Sequence, residues 1–119
     1  MQDEENDPGL TFLSWLRQGI ASRSFEVNSV NAHIHIVPEG MLLVSPAIFK
    51  DFDRENWELV QKRFTKLRLH QRRPDGTNIH TYTVTSTHKK SRIRGYLLPD
   101  PKAVFPEGNF PEPNPYLTK

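Results

Sequence analysis

The sequence contains no cysteine, which excludes disulfide bonds, thiolate catalysis and cysteine-based zinc sites. It also lacks a signal-peptide core and any apolar run long enough to span a membrane. Both absences are typical of a cytoplasmic protein without membrane contact, and we expect that here. Hydrophobic residues make up only 35% of the 119 residues. The single modest core that this length allows therefore cannot include the whole chain.

Signatures of catalysis and cofactor binding are missing as well. No glycine-rich phosphate loop of the Walker or dinucleotide-binding type occurs, so the sequence does not support a helicase motor. Ser45 lacks the Gly-x-Ser-x-Gly surroundings of a nucleophile, and because Pro46 follows it we interpret it as a helix N-cap. His33 and His35 have a spacing that some metal sites use, but no third ligand accompanies them. We expect both on the exposed face of an edge strand. The sequence predicts no catalytic residue, no metal and no cofactor.

The two ends of the chain differ in composition from the middle. Residues 1–8 are acidic and have no apolar run, which predicts a disordered tail. Residues 99–119 hold six of the ten prolines, so this extension cannot form regular helix or a central strand. It is either loose, or it lies along the domain with apolar anchors. Those anchors would be Val104, Phe105, Phe110, Tyr116 and Leu117. The folded domain is then 9–98, and the polar start suggests a fragment of a longer protein.

Apolar periodicity predicts three helices. The first runs over residues 10–22, the second is short and covers 47–51, and Asp53 caps the third. The third carries an apolar stripe and should end near residues 70–73, before the turn Pro74-Asp75-Gly76. We expect one core that is formed by Trp15, Leu16, Ile34, Phe49, Trp57, Phe64 and Tyr96.

Strand signals lie between and after these helices. Residues 34–36 and 41–44 flank a turn, a short strand at 25–27 is conceivable, and 79–85 and 91–98 form a hairpin with a basic tip. The order helix, strand, helix, helix, strand, loop, strand predicts an α+β domain of winged-helix type. Its three-helix core would carry a small antiparallel sheet and a β-hairpin wing.

Basic side chains are concentrated in one part of the chain. Residues 59–94 hold ten Lys and Arg against one Asp, a net charge of +9; since the total is +2, the remainder carries −7. Such asymmetry predicts a surface that faces a polyanion. The third helix of a winged helix commonly enters the DNA major groove, while the wing contacts phosphate or the minor groove. On the third helix and just after it, the predicted DNA-binding residues are Gln61, Lys62, Arg63, Thr65, Lys66, Arg68, Arg72 and Arg73. On the wing they are His88, Lys89, Lys90 and Arg92, with Arg94 in the same basic block.

A family resemblance covers most of residues 9–98. The segment FLSWLRQG at 12–19, then VPEGMLLVSP at 37–46 and Ile48-Phe49, resembles the C-terminal domain of TraI-like conjugative relaxases, the MOBH-class nickase/helicase proteins. It continues through VQK at 60–62 and GYLL at 95–98. In that family, nicking belongs to a separate N-terminal region with a His/Asp metal site. No His-Asp dipeptide occurs here, so the resemblance implies an accessory domain of a larger DNA-processing enzyme.

Two functions remain open at this point. The first is a non-catalytic domain that binds duplex or single-stranded DNA through the third helix and the wing. The alternative is a docking module for other relaxosome or transfer proteins. One continuous face formed by the helix and wing charges favours DNA, whereas charges that point apart favour docking.

Overall fold

The described part of the chain forms three helices and a five-stranded sheet. The computed structural model describes residues 7–29, 31–85, 90–105 and 110–118. In chain order the elements are α1 (Pro8–Ala21), β1 (Ile34–Val37), β2 (Gly40–Val44), α2 (Ala47–Phe52), α3 (Trp57–Thr65), β3 (His80–Thr85), β4 (Lys90–Leu98), a 3-10 turn (Pro101–Ala103) and β5 (Leu117–Thr118). The predicted α+β class is confirmed. The conceivable strand at 25–27 does not form.

Helix α1 begins two residues earlier than the apolar pattern indicates. The Asp7 side chain accepts a hydrogen bond from the Gly9 amide at 2.8 Å, and Pro8 occupies the first helical position. The apolar face of α1 then packs against α3. At Gly9 the two helices are so close that an added Cβ would lie 2.7 Å from the Arg63 backbone. Residues 1–6 of the predicted tail lie outside the described ranges.

Both predicted caps in the middle of the chain are wrong. Ser45 does not cap α2: Pro46 holds the N-cap position without a side-chain bond, and the Ser45 hydroxyl donates instead to Gln61 Oε1 at 2.5 Å. Asp53 does not cap α3 either. Its carboxylate accepts the amides of Glu55 and Asn56 in a turn, and α3 begins only at Trp57.

The main core lies between the helices and one face of the sheet. Phe12, Phe49 and Phe64 are fully buried, with ring centroids 4.7 to 5.7 Å apart, and Tyr96 of β4 meets Phe49 edge-on. The predicted core is confirmed, with the two tryptophans half-buried at its margin. A second cluster covers the opposite sheet face and consists of Val37, Leu42, Tyr82, Leu97 and Leu117.

The sheet is antiparallel with the order β1-β2-β4-β3-β5. Strand β2 pairs with β4 only between residues 41–44 and 95–98, so the β3-β4 hairpin extends beyond it. The predicted hairpin is confirmed, although its tip at residues 86–89 lies outside the described residues. No helix in the described ranges is both long and apolar enough to cross a membrane.

The described parts of the proline-rich extension, residues 99–105 and 110–118, lie along the domain rather than loose in solvent. Val104, Phe105 and Leu117 are buried as anchors, whereas Phe110 and Tyr116 are exposed. The backbone amide of Asn114 donates to Ile36 O along the free edge of β1. Three residues later, Leu117 pairs with β3 at the opposite edge of the sheet. In a flat sheet these positions would be five strand spacings, about 24 Å, apart. Since three residues reach only about 10 Å, the sheet must curl until its edges approach.

The curl buries a histidine that the sequence places on the surface. His35 of β1 is only 4% exposed. Its Nε2 donates to Ala32 O at 2.9 Å, and its Nδ1 accepts from the side-chain amide of Asn114 at 3.2 Å. The prediction that His35 lies on an exposed face is therefore wrong. His33, just before β1, is half-exposed and pairs with Asp51 at 2.6 Å.

Candidate nucleic-acid interface

Helix α3 carries its buried apolar side chains on one side and its charged side chains on the other. Val60 and Phe64 are buried, while Lys62 and Lys66 are exposed. Gln61 lies between these two sides and is half-buried, because its side chain accepts the hydrogen bond from Ser45. The helical spacing of four residues places Thr65 one turn further along this same side.

A short chain of contacts connects α3 to the hairpin. The Ser45 amide donates to Arg94 O at 2.9 Å, and the Ser45 hydroxyl reaches Gln61. Side chains alternate along a strand, so Arg92 and Arg94 share a sheet face with Tyr96, which packs into the helix-side core. The basic residues of β4 therefore lie on the same side of the sheet as α3.

The segment after α3 is a structured loop rather than helix. The prediction that the third helix reaches residues 70–73 is wrong: α3 ends at Thr65, and Arg68 adopts a left-handed φ of 58°. His70 then packs edge-on against Tyr96, with ring centroids 5.4 Å apart. The Gln71 amide donates to Leu97 O at 2.7 Å, which attaches the loop to β4.

This loop gathers basic side chains around a polar cavity of about 360 Å³. The cavity is lined by Thr65, Lys66, Arg68, His70, Arg72 and Asn78. His70 Nε2 is hydrogen-bonded to Asn78 Oδ1 at 3.0 Å, and these two residues close one wall. Neither His70 nor Asn78 belongs to the predicted site. The only signal for them is their position on either side of a strong turn.

The turn at residues 74–76 holds the side chain of Asp75, the single acidic residue of the basic block, by hydrogen bonds. Asp75 accepts hydrogen bonds from the amide and hydroxyl of Thr77, at 3.0 and 2.7 Å, and these bonds hold the pKa of its carboxyl below the ordinary value. Arg73 lies in the same turn, where its amide donates to Thr77 O and its guanidinium to Ile79 O. It does not line the cavity.

The structure thus brings part of the predicted set together. The residues that lie on the α3 side of the sheet are Gln61, Thr65, Lys66, Arg68, Arg72, Arg92 and, beyond the predicted set, Arg94. Lys62 lies beside them on α3. Arg63 follows Gln61 by two residues, about 200° around the helix, and is turned towards the α1 side. Lys90 pairs with Thr85 in the hairpin, and His88 and Lys89 lie outside the described residues.

Within the described residues, no Asp or Glu side chain lies within 4.0 Å of the charged groups of this surface. The single contact of that length between a basic and an acidic side chain in these ranges is that of His33 and Asp51, on a different element. Exposed Glu58 is the acidic residue of α3. The same parts of the chain contain no group of three His, Cys, Asp or Glu side chains that could hold a metal.

The arrangement of helix, basic loop and hairpin can be compared with known proteins. Residues 7–119 match the family described as "Putative conjugal transfer nickase/helicase TraI C-term". The chain belongs to this family. The resemblance read from the sequence is therefore confirmed, and the family match extends through the proline-rich extension, which the motifs did not cover.

A solved structure shares the fold. The chain is similar to the crystal structure of the C-terminal domain of the Salmonella enterica protein STY4665, with a TM-score of 0.79 and 26% sequence identity. The match covers 92% of this chain and 93% of that one. No curated protein matches the sequence. The family and the fold are thus defined, and the activity must be argued from the residues.

Proposed function

We propose that this domain binds DNA without catalysing a reaction on it, as an accessory part of a conjugative relaxase. Its contact surface would comprise the exposed side of α3, the loop 66–79 and the basic residues of β4. The observation that carries the proposal is the cavity in which Lys66, Arg68 and Arg72 converge, with no Asp or Glu of the described residues within 4.0 Å of their charged groups. Converging cations of this kind bind phosphate oxygens.

The topology supports a winged-helix assignment. If β1 and β5 are set aside, the order is α1, β2, α2, α3, β3, β4, and the three strands lie side by side as β2-β4-β3. In this assignment α3 is the recognition helix and the β3-β4 hairpin is the wing. Lys62 and Gln61 would then face base edges, whereas Arg92 would contact the backbone.

The proposal is tested by fluorescence anisotropy with a duplex and a single-stranded oligonucleotide over a salt series. If four to six phosphates are contacted, log affinity for the duplex should fall with log salt at a slope of about −4 to −5. Lys66→Ala, Arg68→Ala and Arg72→Ala should each lower affinity and reduce the slope by about one. Their thermal stability should change little, because exposed charges contribute little to folding.

Two variants serve as controls. Lys50→Ala removes an exposed charge from α2, outside the proposed surface, and Lys102→Ala removes one from the 3-10 turn. Both should retain near wild-type affinity. Undetectable binding at low salt would contradict the proposal, as would equal weakening by all five variants. Either result would favour the alternative, a docking module for other transfer proteins.

A further inference from the structure

The curled sheet encloses an interior that is filled at one end only. Tyr82 and Leu117 fill that end together with their neighbours, and the Tyr82 hydroxyl donates to Glu39 at 2.8 Å. The other end opens into a pocket of about 630 Å³. This volume lies within the range of about 300–1,000 Å³ that is usual for small-molecule sites, which often occupy the mouths of curled or closed sheets.

Apart from His33 and His35, the lining of this pocket consists of side chains that carry no charge. Val44, Val84, Ile93 and Leu117 provide apolar walls, and hydroxyl and amide side chains lie around them. None of the described residues that line it is Lys, Arg, Asp or Glu, although a quarter of the chain consists of these four types. His33 already pairs with Asp51, and both ring nitrogens of His35 are hydrogen-bonded. A phosphate or carboxylate would therefore be desolvated here at high cost. The lining fits a neutral group with apolar faces and a polar edge.

Tyr116 adds a surface on which a flat ring can stack. It lines the pocket while 61% of its surface is exposed, and its backbone is held by Asn114 and Thr85. The wall beneath it is fixed by the buried hydrogen bond between Asn114 and His35. An exposed aromatic ring beside apolar walls is how proteins hold unpaired bases, since every base has a π face.

The pocket lies against the basic hairpin. Along β4, Ser91 and Ile93 line the pocket, whereas Arg92 between them points to the opposite face of the sheet. Strand β2 pairs with β4 only from Gly95 onward, so this part of the hairpin has an open edge on the β2 side. A nucleic-acid strand that passes around the edge could place a phosphate near Arg92 and a base in the pocket.

We propose that this pocket binds one unpaired nucleobase of a DNA strand whose phosphates lie on the basic surface. The inference rests on the proposed function and extends it, because it predicts a preference for single-stranded over duplex DNA. The basic surface supplies the salt-dependent attraction for both forms, and the pocket supplies a stacking contact that a paired base cannot reach.

The test compares affinities for a single-stranded oligonucleotide and the corresponding duplex. Tyr116→Ala removes the stacking ring, and Ser91→Trp fills the pocket from an exposed position. Both should weaken single-strand binding about 5- to 150-fold, the loss measured when one stacked base is released, and should change duplex binding less than twofold. The matched control is Phe110→Ala, because Phe110 is also an exposed aromatic residue of the extension, 41% accessible, but does not line the pocket.

The two hypotheses fail in different ways. If neither oligonucleotide binds at low salt, the proposed function fails, and this inference fails with it. If DNA binds and Lys66→Ala weakens it, but Tyr116→Ala and Ser91→Trp leave the ratio of the two affinities unchanged, this inference alone is overturned. A second readout uses the four deoxynucleosides as probes. At least one should shift the amide resonances of Val44 and Ile93, and no shift with any of them would overturn the inference.

Discussion

Replacement of Asn114 by alanine should test how the extension holds the sheet in its curled form. Asn114 is 5% exposed. Its amide nitrogen donates to Asn28 O and to His35 Nδ1, both at 3.2 Å, and its side-chain oxygen accepts the Tyr116 amide at 3.0 Å. Its backbone amide, which the substitution retains, donates to Ile36 O at 2.7 Å. The substitution therefore removes three side-chain hydrogen bonds and keeps the backbone bond.

The expected loss of stability depends on the buried polar group that the substitution leaves without a hydrogen-bond partner. A net loss of about 0.5–1.5 kcal/mol is typical for one hydrogen bond, and a buried acceptor without a donor costs about 1–3 kcal/mol. His35 Nδ1 becomes such an acceptor, and it cannot exchange tautomer because Nε2 already donates to Ala32 O. We expect Asn114→Ala to lower the free energy of unfolding by about 2–4 kcal/mol, since the bonds are not fully additive.

Urea unfolding monitored by circular dichroism measures this loss. Glu112→Ala is the control, because its exposed side chain lies in the same stretch while its carbonyl, which accepts from Asn28, is retained. A double-mutant cycle with His35→Leu isolates the orphaned nitrogen: in that background, Asn114→Ala should cost at least about 1 kcal/mol less. A loss no larger than that of Glu112→Ala would show that Asn114 does not hold the edge of the sheet.

Three further predictions concern the core, the sheet and pH. Phe64→Ala should cost about 3–5 kcal/mol in urea unfolding, because Phe64 is 0% exposed and its removal leaves a cavity. Gly95→Ala should yield little folded protein, measured by soluble yield and circular dichroism, because the new Cβ would clash with the backbone oxygen of Leu43 in the adjacent strand. Burial lowers the pKa of His35 below its ordinary value of 6.5, so the unfolded chain binds the proton more readily. Stability should therefore fall as the pH drops below about 6.5, by up to about 1.4 kcal/mol per pH unit, and His35→Gln should reduce this dependence when unfolding is measured at pH 7.5 and 5.5.

The elements that the sequence predicts well are those whose signals are local. The apolar face of α1 and the stripe of α3 are readable from spacing, and the β3-β4 hairpin from alternation and turn residues. The end of α3 is not readable in this way. Nothing between Lys66 and Gln71 forbids helix, and the chain leaves the helix because the Gln71 amide bonds to Leu97, 26 positions later. A contact at that distance leaves no trace in local periodicity.

The burial of His35 is likewise not predictable from the local sequence. The alternation of His33, Ile34, His35 and Ile36 correctly places both isoleucines in the core. Exposure of the histidines, however, follows only if the opposite sheet face is bare. That face is covered by the extension, whose Asn114 lies 79 positions from His35. Composition alone shows six prolines there, which exclude regular structure but do not indicate where an irregular segment packs.

Both candidate sites are therefore built by contacts that join distant parts of the chain. The basic block is evident from composition, but its members converge because Gln71 attaches the loop to β4. The pocket has no local sequence signal, because its walls come from the strands and its mouth from Tyr116 near the end of the chain. The two sites meet at the hairpin, where Arg92 and Ile93 point to opposite faces of one strand. A single period-two alternation in β4 thus places a charge on one side and an apolar wall on the other, which is the arrangement that a nucleotide, with its charged phosphate and neutral base, requires.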